Sequence, residues 1–195
     1  MAKKQSPHLN ITCTSTDCAN NLHCFKATRA MKRDNLEGRC RECGIELVDW
    51  ERVRSLNLDD ATFTFEMLRK ELIRHSYWHR EIDLRAVNHA KRKGKTGMRV
   101  AAKKRIRSSI GPAQPYRDGQ QTPKDGNALY YAQHATACCC RKCAEYWHGI
   151  EQGRPLSEAE IDYFTKLVCL YIDDRLPFLT ENGERVPPIR RSILL

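Results

Sequence analysis

Apolar positions recur at helical spacing from Asp60 onward. Phe65, Leu68, Leu72 and Ile73, with Asp59 or Asp60 placed to cap, predict a helix through about Ser76. A second helical stretch runs from about Asp83 to Lys93 and is broken by Gly94 and Gly97; the chain resumes toward Ile106 with Met98, Ala102 and Ile106 on one side. Residues 111–127 are rich in turn formers (Gly111-Pro112, Pro115, Asp118-Gly119, Pro123, Asp125-Gly126) and predict an ordered but irregular loop. A short apolar piece, Ala128 to Ala132, precedes a helical stretch from Arg141 to His148 that Gly149 stops. Ser157 and Glu160 form a capping box, and the helix they open carries a core face of Ile161, Phe164, Leu167, Val168, Tyr171 and Ile172. No period continues from Pro177 to Leu195, which predicts a tail lying over the surface or reaching to a partner, with Pro187-Pro188 and Arg190-Arg191 in it.

Residues 11–50 break this pattern. They hold few large apolar side chains, too few to fold on hydrophobic contacts alone, and so need a staple. Cys13-x4-Cys18 and Cys40-x2-Cys43, about twenty residues apart, suit two knuckles of a four-thiolate zinc site, with strands leaving them at Leu22 to Lys26 and Ile45 to Trp50. Cys24 is then a strand residue; the alternatives are that His23 or Cys24 replaces one of the four, or that the thiols carry no metal. A second cluster packs Cys138, Cys139, Cys140, Cys143, His134 and His148 into fifteen residues. Cys140 and Cys143 have knuckle spacing, and His134 and His148 complete a two-thiolate, two-imidazole set if the chain turns there. Cys139 and His89, or the pair His75 and His79, are further candidates. Reduced buried thiols, or a redox pair with Arg141 and Lys142 lowering a thiol pKa, are the competing readings. Lone Cys169 reads as a small core residue.

The fold class that follows is α+β, mainly α. A zinc ribbon spans residues 1–55, a helical Cys/His domain with a basic arm spans 56–176, and an extended tail covers 177–195.

Charge adds a partner. The 195 residues carry a net charge of +10, and nine basic residues with no acidic one lie between Lys91 and Arg107: Lys91, Arg92, Lys93, Lys95, Arg99, Lys103, Lys104, Arg105 and Arg107. Such a run suits phosphates of DNA or RNA, against the plainer reading of a solvated helix face. No run of eighteen apolar residues and no apolar leader follow Met1, so neither a membrane partner nor secretion is expected. Ten cysteines in a cytoplasmic protein then read as metal ligands or redox groups before disulfides.

Asp118-Gly119-Gln120-Gln121-Thr122-Pro123, the run Ala132-Gln133-His134-Ala135-Thr136-Ala137-Cys138-Cys139-Cys140-Arg141-Lys142-Cys143, and Trp147-His148-Gly149-Ile150 resemble the bacterial and phage family of unknown function known as DUF4186. The resemblance covers roughly residues 80–175. The family's second Thr of that run is Cys138 here, which leaves Cys139, Cys140 and Cys143 as its thiols, and the segment Arg85 to Ala90 brings in His89. The resemblance implies no activity.

Three functions follow as expectations. The first is a zinc protein bound to nucleic acid backbone, within a larger complex. The second is a metal-dependent hydrolase, nuclease or deaminase-like enzyme, with Glu145 or Glu81 as proton carrier and His79-Arg80-Glu81 a faint echo of a deaminase signature. The third is a thiol or redox enzyme on Cys139, Cys140 and Cys143 with His134 or His148 as base.

Overall fold

The computed structural model describes residues 11–187, so Met1 to Asn10 and the tail from Pro188, including Arg190-Arg191, lie outside the described residues. Among the described residues eight α-helices account for most of the regular structure. The longest, α5 (Leu84–Ser109), starts where the Asp83 carboxylate accepts the Ala86 N–H, and buries Ala86, Ala90, Gly94, Met98, Ala102 and Ile106, a row at intervals of four. It packs along α8 (Glu158–Arg175), which opens on the expected Ser157–Glu160 capping box. Apolar side chains surround α8 on more than one face: Ile161, Tyr163, Phe164, Leu167, Val168, Tyr171 and Ile172 are all buried, because α3 (Ala61–Leu68) and α6 (Ala128–Ala135) cover the sides α5 leaves open. Polar tips inside this core find partners: Tyr163 Oη donates to Thr64 Oγ1 at 2.8 Å, and Trp78 Nε1 to Asp174 Oδ2 at 2.7 Å.

The single helix expected through Ser76 is two. Between α3 and α4 (Leu72–His79) the backbone at Glu71 is extended, because the N-terminal segment takes its hydrogen bonds. His23 N–H donates to Lys70 O at 2.7 Å, and Leu72 N–H donates to His23 O at 2.9 Å, forming a parallel bridge between His23 and Glu71. Among the described residues β-pairing consists of isolated bridges, this one and Asp17–Leu22, so the strands expected at 22–26 and 45–50 form no ladder. Two short helices stand in the segment instead: α1 (Arg29–Arg33), capped by Thr28, and α2 (Trp50–Arg54), where the Asp49 side chain accepts the Arg52 N–H and turns the second expected strand into a helix start. A second apolar cluster ties this segment to the rest. Phe25, Cys40, Val48 and Val53 pack with Leu68, Ala137 and Trp147, the last on α7 (Arg141–His148), which Gly149 closes in the left-handed conformation.

Gly94 breaks α5 as expected, at φ 62° and ψ 178°, whereas Gly97 stays helical. The tail explains the break. Carbonyls of Thr180 and Glu181 accept the N–H groups of Lys95 and Thr96, at 2.9 and 3.1 Å, where the helix restarts; Glu184 N–H donates to Lys91 O at 3.0 Å, where the first half ends. The tail thus satisfies groups on both sides of the interruption. Among the described residues no helix is long and apolar enough to cross a membrane. A Cβ at Gly94 would sit 2.7 Å from the Glu181 and Asn182 carbonyl oxygens, at a positive φ that side chains rarely adopt. Gly94→Ala is therefore expected to destabilise the protein by about 2 kcal/mol or more. Urea unfolding checks this, and a loss below about 0.5 kcal/mol would contradict it.

Candidate metal centres

Four ligand-type side chains converge in the N-terminal segment: Cys18, His23, Cys40 and Cys43, whose ligating atoms all lie within 4.8 Å of one another. Cys18 Sγ is 3.8 Å from Cys40 Sγ, and His23 Nδ1 is 3.5 Å from Cys43 Sγ. Ligands about 2.3 Å from a tetrahedral ion would have sulfurs roughly 3.8 Å apart. His23 Nε2 lies 3.0 Å from Asn21 Oδ1, an acceptor, so this nitrogen carries the proton and Nδ1 turns its lone pair toward the thiols. Burial opposes a Cys40 thiolate, but hydrogen bonds from the backbone at Cys43, Cys24 and Glu42 outweigh it and bring its pKa down to about 6. Burial and the hydrogen bonds to Cys43 and Cys40 carry Cys18 up to about 12. The knuckle spacing expected Cys13 where the structure brings His23. Cys13 is exposed and outside the quartet, and its carbonyl accepts from the buried Cys24 thiol at 3.4 Å.

The second convergence holds three thiols, Cys139, Cys140 and Cys143, again within 4.8 Å. Their spacing follows from the start of α7: Cys140 is its N-cap, Cys139 precedes it, and Cys143 is the third helical residue, which faces the cap. The positive end of the helix favours thiolates there. Ala137, in the left-handed conformation at φ 54°, turns the chain into this loop. The neighbouring motif residues hold it: Thr122 Oγ1 donates to Cys139 O at 2.8 Å, and Gln133 Nε2 to Cys138 O at 3.1 Å. Hydrogen bonds from Cys139 and Cys140 hold Cys143 well below the ordinary thiol range despite burial, and Arg74 adds to the effect, its Nη2 donating to Cys143 Sγ at 3.2 Å.

Arg74 is the organising group of this centre. Its other nitrogens bond to His134 O at 2.8 Å and to Glu71 Oε2 at 3.1 Å. The Glu71 carboxylate also accepts from Tyr146 Oη at 2.7 Å and from Trp147 Nε1 at 2.6 Å. Burial raises the Glu71 pKa, opposed first by the charge of Arg74; all three partners are donors, so both oxygens serve as acceptors.

The two expected imidazoles stand outside the three-thiol set. His148 is a core side chain, edge-on to Phe164 at 4.9 Å, with Nε2 3.1 Å from Thr136 O; burial pushes its pKa down to about 4 and keeps the ring neutral. His134 stacks on Tyr77 at 4.3 Å, and its Nε2 faces the carbonyls of Thr122 and Pro123 at 3.3 and 3.2 Å. Burial pushes its pKa to about 4 as well, so the neutral ring keeps its proton on Nε2 and a lone pair on Nδ1. His89, on α5, joins neither set, and its Nδ1 is buried with no partner among the described residues. Cys138 is fully buried beside Thr136 Oγ1. Arg141 turns from the thiols to the carbonyls of Ile110, Glu151 and Arg154. Glu81 and Glu145 are exposed, with Glu145 held by Gln152 at 2.6 Å.

Much of the basic segment is paired. Lys95 meets Asp173 at 3.6 Å, Lys103 meets Asp162 at 2.5 Å, Arg107 meets Glu158 at 2.6 Å and Lys91 meets Glu184 at 3.5 Å. Arg105 bonds Gln133 and Gln121 and lies over the Tyr130 ring. Among the described residues no carboxylate pairs with Arg92, Lys93, Arg99 or Lys104.

The thiol loop, its Gln-Thr-Pro anchor and the helices around it lie within residues 61–173, over which the family model described as domain of unknown function (DUF4186) matches. The chain belongs to this family. No solved structure matches the chain. The DUF4186 match starts about twenty residues before the stretch that carries the sequence resemblance, and the added part holds Glu71 and Arg74. Sequence reading missed both, since a Glu and an Arg three apart on a helical pattern look like a surface pair. The first convergence lies N-terminal to the matched residues.

The geometry predicts which side chains control metal content. Cys13→Ser and His148→Gln are expected to keep the metal content of wild type, and His23→Ala to lose one equivalent per chain, measured by plasma mass spectrometry after dialysis against a weak chelator. Loss of metal in Cys13→Ser with retention in His23→Ala would reverse the assignment.

Proposed function

We propose that this DUF4186 protein is a zinc protein with two centres. The first, at Cys18, His23, Cys40 and Cys43, is structural; the second, at Cys139, Cys140 and Cys143, offers three sulfurs and leaves a fourth position for another ligand. The reading rests chiefly on the convergence of three thiols at the start of α7 with a buried guanidinium on one of them. Thiolate-rich, borderline-soft sites of tetrahedral spacing suit zinc, and a closed set of four protein ligands is the mark of a structural site. At the second centre His134 has suitable chemistry for the fourth position: its Nε2 is engaged by carbonyls and its Nδ1 lone pair is left over. A water or an external ligand is the other occupant. Freshly purified protein is expected to hold two zincs per chain, falling to one when Cys139 and Cys143 are both replaced by Ser. One zinc in wild type, together with rapid alkylation of all three thiols, would favour cysteine chemistry instead.

Nucleic acid binding is a second reading, favoured by Arg92, Arg99 and Lys104, which are exposed and carry no carboxylate partner among the described residues. These groups, with Lys93, would contact phosphates in the first half of α5 and beyond its break, with DNA or RNA as partner and a larger complex as setting. Four such phosphate contacts give a slope of about −3.6 for log K against log salt. Replacing Arg92, Lys93 and Lys104 by Gln is expected to abolish most of that slope in fluorescence anisotropy with a short duplex. Binding that ignores salt, or none at low salt, would refute this reading.

A further inference from the structure

The two candidate centres are joined by a continuous chain of polar contacts. It begins at His23, whose ring belongs to the first quartet and whose backbone pairs with the strand-like turn at Glu71 through Lys70 O and Leu72 N. At Glu71 the carboxylate accepts Arg74, and the guanidinium of Arg74 reaches Cys143 Sγ of the second set. Glu71 and Arg74 are both buried, with side chains 1% and 2% exposed, so neither can replace a lost partner with water. A second link runs beside it: Trp147, which donates to Glu71, packs against Phe25 and Trp50, with ring centroids 5.9 and 5.1 Å away.

From this continuity we infer that Glu71 and Arg74 are positioning residues of the second centre and couple it to the first, so that metal at the first centre raises the affinity of the second. The inference rests on the two-centre reading. Residues 18–43 reach the core through few apolar side chains, Phe25 and Cys40 chief among them, so on this inference metal supplies much of the rest of their order. Without it the backbone bridge at His23 opens, water reaches Glu71, and the fork of Arg74 is no longer fixed on Cys143. Only a planar guanidinium can serve Glu71, the His134 carbonyl and a sulfur at once; a lysine ammonium is a point donor.

The test is zinc titration of the full chain, with occupancy of the second centre read by mass-spectrometric mapping of alkylation at Cys139, Cys140 and Cys143. Cys43→Ser removes an exposed ligand of the first centre, and Asn21→Ala only frees the His23 ring, so the second variant serves if the first folds poorly. Second-centre affinity is expected to fall about tenfold or more in Cys43→Ser and in the same direction in Asn21→Ala. Arg74→Lys should lower it by itself and remove the further effect of Cys43→Ser. Second-centre affinity within about twofold of wild type in both first-centre variants overturns the inference, as does an undiminished effect of Cys43→Ser in the Arg74→Lys background. No zinc at all on Cys139, Cys140 and Cys143 of wild type overturns the two-centre reading itself.

Discussion

The buried pair of Glu71 and Arg74 is the constraint around which the rest of the structure is arranged. A carboxylate and a guanidinium in the interior lose their hydration, and their mutual attraction repays that only when their remaining hydrogen-bonding capacity is met. Here it is met from four directions: Tyr146 and Trp147 on Glu71, the His134 carbonyl and the Cys143 sulfur on Arg74. Removing one partner of such a pair costs about 3–5 kcal/mol, because the other is left charged and unpaired. The requirement fixes three elements together. The chain must be extended at Glu71, α6 must present its carbonyl end, and α7 must start with its thiols toward Arg74.

The same pair explains why an N-terminal segment poor in apolar side chains sits on a helical domain. Phe25, Trp50 and Trp147 form one aromatic group, and the polar end of Trp147 is consumed by Glu71. Hydrophobic contact and the polar network therefore meet at one residue. Cys40 lies in this cluster and Cys143 packs against it, so both sulfur-rich sites share it.

Local signals were legible where local physics decides the outcome. The capping box at Ser157, the stop at Gly149 and the irregular loop at 111–127 all follow from local backbone preferences, and glycine at 94 permits the break whose freed groups the tail then satisfies. Non-local outcomes were not legible. One expected helix became two because His23, some fifty residues earlier, claims the backbone at Lys70 and Leu72. His23 stands in the first set in place of Cys13, with its ring held by Asn21, an arrangement that spacing between cysteines does not encode. At the second cluster, spacing pointed to Cys140 and Cys143 as a knuckle, but the imidazoles expected beside them are held by carbonyls and aromatic rings, and Cys139 fills the third position. The basic run was plain as charge, yet its fate depended on acids of α8 and the tail, which neutralise four of its nine members.

The central claim is that both sulfur clusters are metal centres of mixed ligation, with three sulfurs each. X-ray absorption at the zinc edge of the purified chain measures this most directly. The account predicts an average first shell of three sulfurs at about 2.3 Å per zinc, with the remaining ligand a lighter nitrogen or oxygen near about 2.0 Å. A shell averaging four sulfurs, or one dominated by nitrogen and oxygen, would contradict it.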